Sequence, residues 1–250
     1  IKEYFETGKM IAVENALNDK TFSLKRNLSN LYGVGPVKII ELMKKVNSFE
    51  ELKTKPELLN DKQKIGLKYY DDMLQRIPMS EGKKHYSIIN KIFNKTYSNI
   101  EFELVGSYRR KNSDMGDIDI LIKNRPDLEL KNLINELKSS NYIIETLANG
   151  KNKFMGLCKI APALPARRID ILIADPSYYY FALLYFTGSY QFNIYMRRIA
   201  LQKKLSLTEY GFKDKNKKII DTTADIKTEK DIFEYLEIPY VLPENRNIKL

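Results

Sequence analysis

Residues 101–122, EFELVGSYRRKNSDMGDIDILI, carry the side chains best suited to chemistry. The stretch reads as an apolar strand, a tight Gly106-Ser107 turn followed by Arg109 and Arg110, and an Asp-x-Asp pair opening a second strand. Strand side chains alternate between faces, so Asp117 and Asp119 project together, about 6.5–7 Å apart, while Ile118, Ile120 and Ile122 point into a core. Two carboxylates aimed at one place repel each other unless a cation lies between them. Oxygen-only ligands suit Mg²⁺, which takes one or two carboxylates together with substrate phosphates. Beside them, Gly106 and Ser107 offer a backbone and a hydroxyl to an anion. Metal-binding carboxylates next to an anion pocket are the layout of nucleotidyl transfer. Each signal alone is weak, since Asp-x-Asp is commonly a solvated strand face and Gly-Ser an ordinary turn. A third element, RRIDILIAD at residues 167–175, sets Asp170 between Ile169 and Ile171. A carboxylate inside such an apolar β pattern is expected to complete a two-metal site.

These residues need a scaffold, and the 250 residues provide for one large or two to three small domains. Apolar residues make up 43% and charged residues 30%, a globular composition. The net charge of +10 favours a polyanionic partner, either nucleic acid or an acidic membrane surface. No apolar run approaches the ~20 residues of a membrane-spanning helix. Cys158, the one cysteine, cannot form an intramolecular disulfide and reads as a small buried residue. His85, the one histidine, reads as an ordinary helix residue and not as a zinc ligand. The chain starts at Ile1 without a methionine and is read as a fragment.

Several elements can be placed. Residues 28–46 carry Gly33-Val-Gly35-Pro36 opening an apolar-periodic helix, with Pro36 in its first turn. This is a helix-hairpin-helix signature, in which a glycine turn presents backbone N–H groups to phosphate without reading bases. A helical run is expected over 62–78, ended by Pro78, and a long helix after Ser80. Another helix is expected over 127–140, then a hairpin over 142–160 around Asn149-Gly150. Two helical runs over 178–204 are split at 187–189, and Thr228 with Asp231 caps a last helix. The polar link at 213–223 is expected to be a mobile loop, and Asp114 and Asp175 are read as structural turn residues.

The motifs GSYRR…GDIDILI, RRIDILI and YFTGS, in this order and spacing, resemble the family X DNA polymerases, those of the beta type above all. QKIGLKYY, EKDIFEYL and YVLPENR extend the resemblance over nearly the whole chain. Gly-Ser with Asp-x-Asp alone would indicate only the wider nucleotidyltransferase superfamily. The implied fold is α+β. It comprises a remnant of the amino-terminal lyase domain (1–17), a helix-hairpin-helix thumb (18–79), a palm with a mixed, mostly antiparallel sheet (80–176) and a small α+β fingers subdomain for nucleotide selection (177–250). Lys2 does not match the lyase nucleophile, so no lyase activity is assigned.

The resemblance further implies template-directed addition of dNTPs to a primer 3′-hydroxyl, in short-gap filling and base excision repair. Asp117, Asp119 and Asp170 would hold two Mg²⁺ ions, with Mn²⁺ as a substitute. The backbone carbonyls of Ser29, Leu31 and Val34 would hold Na⁺ or K⁺. Arg76, Ser107, Arg110 and Gly116 would cradle the triphosphate. Tyr185, Phe186 and Gly188 would press on the sugar and disfavour a 2′-hydroxyl, and Asn193 would touch the base edge. Gly33, Gly35, Lys38, Arg168, Arg197 and Tyr210 would contact DNA, and Glu209 and Tyr210 would lock a closed state through Arg197. Gapped or nicked DNA and dNTPs are the implied partners of a monomer, with repair proteins possible as further ones. The implied location is intracellular: the nucleus in a eukaryotic cell, the cytoplasm or virion for a virus.

Three departures from the beta type touch base selection and the open-to-closed equilibrium. Tyr190 replaces an aspartate beside the incoming base, Ile194 a lysine, and Leu172 a switch arginine. Two other classes stay open: an untemplated terminal transferase, and a non-catalytic DNA-binding module. The short connection LANGKNKFMGL argues against the first, and retention of all three aspartates with Ser107 and Arg110 against the second.

Overall fold

The computed structural model describes Met10 and residues 20–248, so the expected lyase remnant lies, Met10 apart, outside the described residues. The chain divides between Leu74 and Gln75 into two compact units. The first is helical. Helix α1 (Lys20–Asn30) leads through a turn with Gly33 at φ +78° into α2 (Pro36–Met43), which has Gly35 as N-cap and Pro36 in its first turn. That left-handed turn is where glycine is required. The Gly33 carbonyl accepts from Gln63 Nε2 at 2.8 Å, tying the hairpin turn to a later helix. Leu28, Leu31, Leu42 and Leu52 are fully or almost fully buried around it.

The single helix expected over 62–78 is instead three pieces: α3, running Asp61–Lys68 behind an Asn60/Gln63 capping box, α4 (Tyr70–Leu74), and the short strand β1 (Ile77–Pro78). A further short helix, Phe49–Lys53, packs against α4, with the Phe49 ring 4.5 Å from that of Tyr70. Proline disfavours a helical residue before it, and Ile77 takes the extended conformation, fully buried opposite Met115.

The second unit is built on a five-stranded sheet. It contains β2 (Phe102–Leu104), β4 (Ile118–Lys123), β7 (Arg167–Ala174), β6 (Lys153–Cys158) and β5 (Ile143–Asn149), in that spatial order. Only β4 and β7 run parallel; the other neighbours are antiparallel. The hairpin of β5 and β6 turns at Gly150, where the sequence expects it. β1 pairs separately with β3 (Asp114–Met115). Ile118, Ile120 and Ile122 enter the main core as their alternation requires, meeting Ile89 and Phe93 of α6 (Met79–Thr96) and Leu133 and Leu137 of α8 (Leu130–Ser139). Between β2 and β3 lies a single helical turn, α7 (Gly106–Arg109), in place of the expected tight turn.

The opposite face of the sheet is covered only in part. There Leu121 and Ala174 pack against Tyr179, Ala182 and Leu183 of α9 (Tyr179–Thr187), and Asp119 and Asp170 lie on the same face. Helix α10 (Tyr190–Gln202), the hairpin of β8 (Ser206–Thr208) and β9 (Gly211–Lys213), and α11 (Glu229–Tyr235) form a further core around Phe192, Phe212 and Phe233. Thr228 and Asp231 form the expected capping box on α11. The link after β9, expected to be a mobile loop, carries local hydrogen bonds. Asp214 Oδ1 accepts from the backbone of both Asn216 and Lys218 at 2.9 Å, and Lys213 bridges to Ile219.

His85 is fully buried, with Nδ1 at 2.6 Å from the Tyr142 hydroxyl. Burial pushes its pKa down to about 4, against the opposing pull of Glu81. The unfolded chain therefore takes up a proton near 6.5 and the folded chain only near 4. Above pH 6.5 the contribution is fully present; it is lost as pH falls toward 4, amounting to about 3 kcal/mol. The chain has one histidine, so the proton NMR signal of its ring is unambiguous. That signal should stay at its neutral position down to about pH 5, while the urea midpoint falls over the same acid range; a titration near 6.5 would refute the assignment.

Candidate active site

The parallel pairing of β4 with β7 sets Asp119 directly opposite Asp170. Adjacent strands lie ~4.8 Å apart, so two carboxylates from distant parts of the sequence meet on one face. Asp117 precedes β4 by one residue and joins them. Burial first, then the charges of Asp117 and Asp170, hold the Asp119 carboxyl well above the ordinary carboxylate range. Asp170 is raised as well, by burial and by Asp117, with Arg168 pulling the other way. Asp170 Oδ1 is buried and makes no hydrogen bond among the described residues. Gly106 gives Asp119 its space, because a Cβ there would stand 2.5 Å from Asp119 Oδ2.

These features fit a divalent cation: the donors are all oxygen, Asp119 and Asp170 are largely buried, and the carboxylates repel one another. Arg168 occupies part of that role, its guanidinium donating to Asp117 and lying 3.6 Å from Asp170 Oδ1. As the side chains stand, no group of three or more His, Cys, Asp or Glu among the described residues converges on one metal position.

The two arginines after Ser107 separate. Arg110 Nη2 donates to Ser107 Oγ at 3.1 Å, Nη1 to the Thr187 carbonyl at 2.6 Å and Nε to Asn247 Oδ1 at 2.8 Å. It thereby joins Ser107 to the α9–α10 junction, where Gly188 has φ +65°. Arg109 turns away into a buried ion cluster, bonded to Glu103, Thr187 and Glu229. Glu229 also takes bonds from Arg246 and Tyr240, and Arg246, with no exposed surface, lies within 5.2–5.6 Å of the ring centres of Phe192, Phe233 and Tyr240. Arg109 is therefore a structural cross-link and not part of an anion pocket. Arg76 donates from Nε and Nη2 to Asp114 Oδ1 at 2.9 and 2.7 Å. A Cβ at Gly116 would stand 2.9 Å from Arg76 Nη1, so that glycine admits the guanidinium beside the backbone.

On the other side, Tyr185 and Phe186 pack edge to face at 5.0 Å, ahead of Gly188. Asn193 Nδ2 donates to the Tyr185 carbonyl at 2.8 Å, and the Arg197 guanidinium lies 5.4 Å from the centre of the Tyr185 ring. These three groups line a small apolar recess with Leu184, Leu207 and Thr208. Tyr210 packs edge-on against Tyr178. Tyr190, at the start of α10, is 76% exposed.

In the helical unit, Gly33 and Gly35 form the α1–α2 turn, and Lys38 pairs with Glu41 at 3.1 Å. The Leu31 carbonyl accepts the Val34 amide, and Ser29 Oγ donates to the Lys25 carbonyl. Sequence reasoning left Asp114, Glu229 and Arg246 out of the site's surroundings. Asp114 had a visible signal, an acidic residue three before Asp117 in a polar turn. Glu229 lies 120 residues from Arg109 and 17 from Arg246, with no local pattern to mark either.

Three family models match consecutive parts of the chain: the fingers domain of DNA polymerase lambda over residues 26–74, the DNA polymerase beta palm over 76–176, and the DNA polymerase beta thumb over 182–247. The subdomain names are thus the reverse of those expected, the helix-hairpin-helix unit matching fingers and the carboxy-terminal segment thumb. The chain is 29% identical to DNA polymerase lambda of Arabidopsis thaliana and 29% to that of Rattus norvegicus, over 99% of its own length and 51% and 46% of theirs. It is 27% identical to a DNA nucleotidylexotransferase of Xenopus laevis, over 99% of its length and 56% of the relative's. It spans about half the length of these relatives.

The raised Asp119 carboxyl carries a consequence for the metal-free protein. It binds a proton more tightly folded than unfolded, so stability falls as pH rises from the ordinary value of 3.8 toward neutrality. Asp119→Asn should flatten that dependence and raise the melting temperature in EDTA at about pH 8 by roughly 2–4 °C. A lower melting temperature than the parent's would show that the carboxylate stabilises the cluster.

Proposed function

This chain belongs to the family X DNA polymerases, and from that premise we propose that it is a template-directed polymerase that fills short gaps in DNA. The observation that carries the reading is the Asp119–Asp170 register pair, two largely buried carboxylates on the open face of the palm sheet with Asp117 beside them. Two Mg²⁺ ions held by Asp117 and Asp119, one of them shared with Asp170, would supply charge neutralisation on the triphosphate and activation of the primer 3′-hydroxyl.

The chain's own groups do the rest by positioning. Ser107, Arg110, Arg76 and the backbone at Gly116 bind the triphosphate, and since Arg110 also holds the Thr187 carbonyl, phosphate and sugar sites are linked through one side chain. Tyr185, Phe186 and Gly188 form the wall against the sugar, and Asn193 and Arg197 face the base and template. Arg168 orients Asp170 and the primer end. The α1–α2 hairpin grips the backbone of gapped or nicked DNA, where the helix-hairpin-helix contacts carry no sequence information. The carbonyls of Ser29, Leu31 and Val34 would hold a monovalent ion, which would support that grip. Base excision repair is the setting such a substrate suits. The terminal-transferase relative keeps untemplated addition in view, and the short β5–β6 turn argues for the templated reading.

Primer extension on a one-nucleotide gap, with each dNTP and rNTP supplied singly, tests this. Only the complementary dNTP should be inserted; insertion regardless of template would replace the reading with terminal transfer. Asp170→Ala should lower extension at least about 10²-fold with DNA affinity by gel shift unchanged, and undiminished extension would sink the site assignment.

A further inference from the structure

Arg167 is buried at 5% exposure, one residue before Arg168 and three before Asp170. Alternation along β7 sends Arg168 and Asp170 to the open face and Arg167, with Ile169 and Ile171, to the covered one. A guanidinium on the apolar face of a core strand requires partners, and it has three bonds to two of them. Nε and Nη2 donate to Glu81 Oε1 and Oε2 of α6 at 2.7 and 2.9 Å, a two-pronged pairing, and Nη1 donates to the Gln75 carbonyl at 3.2 Å. Burial pushes the Glu81 carboxyl up, but the bonds and charge of Arg167 more than offset it and hold it below the ordinary range. Glu81 in turn faces His85 Nε2 at 3.5 Å, and His85 meets Tyr142. The polar chain thus runs from the Gln75 backbone through β7 and α6 to the start of β5.

Gln75 is the residue before Arg76. The strand that follows, β1, has only two paired residues, one of them Pro78, which has no N–H to donate. The ladder alone therefore holds the Arg76 backbone weakly. On its carboxy-terminal side it is fixed by buried Ile77 and on its amino-terminal side by the bond from Arg167, while Asp114 aims the guanidinium. We propose that Arg167 is a positioning residue for nucleotide binding, which acts through the Gln75 carbonyl to hold Arg76 at the triphosphate. The inference rests on the reading of Arg76 as a triphosphate ligand. It gives the Arg167–Glu81 pair a task distinct from filling the core, and joins the strand of the third carboxylate to the arginine across the site from it.

Removing Arg167 alone would strand a buried carboxylate, so the variant to make is Glu81→Met with Arg167→Met, since replacing both members of a buried pair by apolar groups commonly preserves stability. Melting temperature and gel-shift affinity for gapped DNA would confirm that it folds. In gap filling, the double variant should raise the KM for dNTP about 10-fold with kcat within about 2-fold, Arg76→Ala should raise KM at least as much, and the triple variant should match Arg76→Ala alone. Such non-additivity is expected only if one side chain acts through the other. An unchanged KM in the folded double variant, or effects that multiply in the triple, would overturn the inference while leaving Arg76 as a ligand. An unchanged KM in Arg76→Ala would overturn both.

Discussion

The interaction on which the site depends is the mutual repulsion of Asp117, Asp119 and Asp170, imposed by strand register. Parallel pairing of β4 and β7 places Asp119 against Asp170, and neither can move away without breaking the ladder that also buries Ile118, Ile120, Ile169 and Ile171. Core packing thus pins charges at a distance they would not choose. The strain appears as a raised pKa at Asp119 and Asp170 and as an Asp170 oxygen without a hydrogen bond among the described residues. Such a cluster is poised to gain from a hard cation, which offsets what packing has cost.

Around that centre, arginines with adjacent sequence positions have separate tasks because backbone geometry sends them to different faces. Arg109 is drawn into the Glu229–Arg246 cluster and braces α7 against α11, while Arg110 reaches Ser107 and the Thr187 carbonyl. Arg167 and Arg168 stand on opposite faces of β7, one among core residues and one among the carboxylates. In both pairs a buried guanidinium is stabilised by a fully engaged carboxylate, and its neighbour remains directed toward the open face. Glu229 illustrates the balance: burial raises its pKa, yet two arginines hold it below the ordinary value.

The helical unit solves a different problem, the display of backbone. Gly33 at positive φ and Pro36 in the first turn of α2 set the hairpin, and the Gln63 amide holds the turn's carbonyl. Val37 and Ile40 stay exposed on α2 while Ile39 and Leu42 are buried, so the hairpin is anchored by one stripe of that helix.

The sequence by itself determined the local patterns. Alternation around Asp117, Asp119 and Asp170, the Gly-Val-Gly-Pro turn, the hairpin at Gly150 and the Thr228–Asp231 box follow from spacing and residue type, and each is found where expected. These features depend on interactions within a few residues, which a linear reading contains. Tertiary structure decided what depends on distant partners: that Arg109 serves Glu229, that Asp114 holds Arg76, and that Arg167 bonds the Gln75 carbonyl. It also broke the helix expected over 62–78, because burial of Ile77 opposite Met115 and the constraint of Pro78 outweigh an apolar periodicity that would otherwise continue. A charged side chain reads the same in sequence whether it faces water or a buried carboxylate; only the fold supplies the partner, and the partner decides the role.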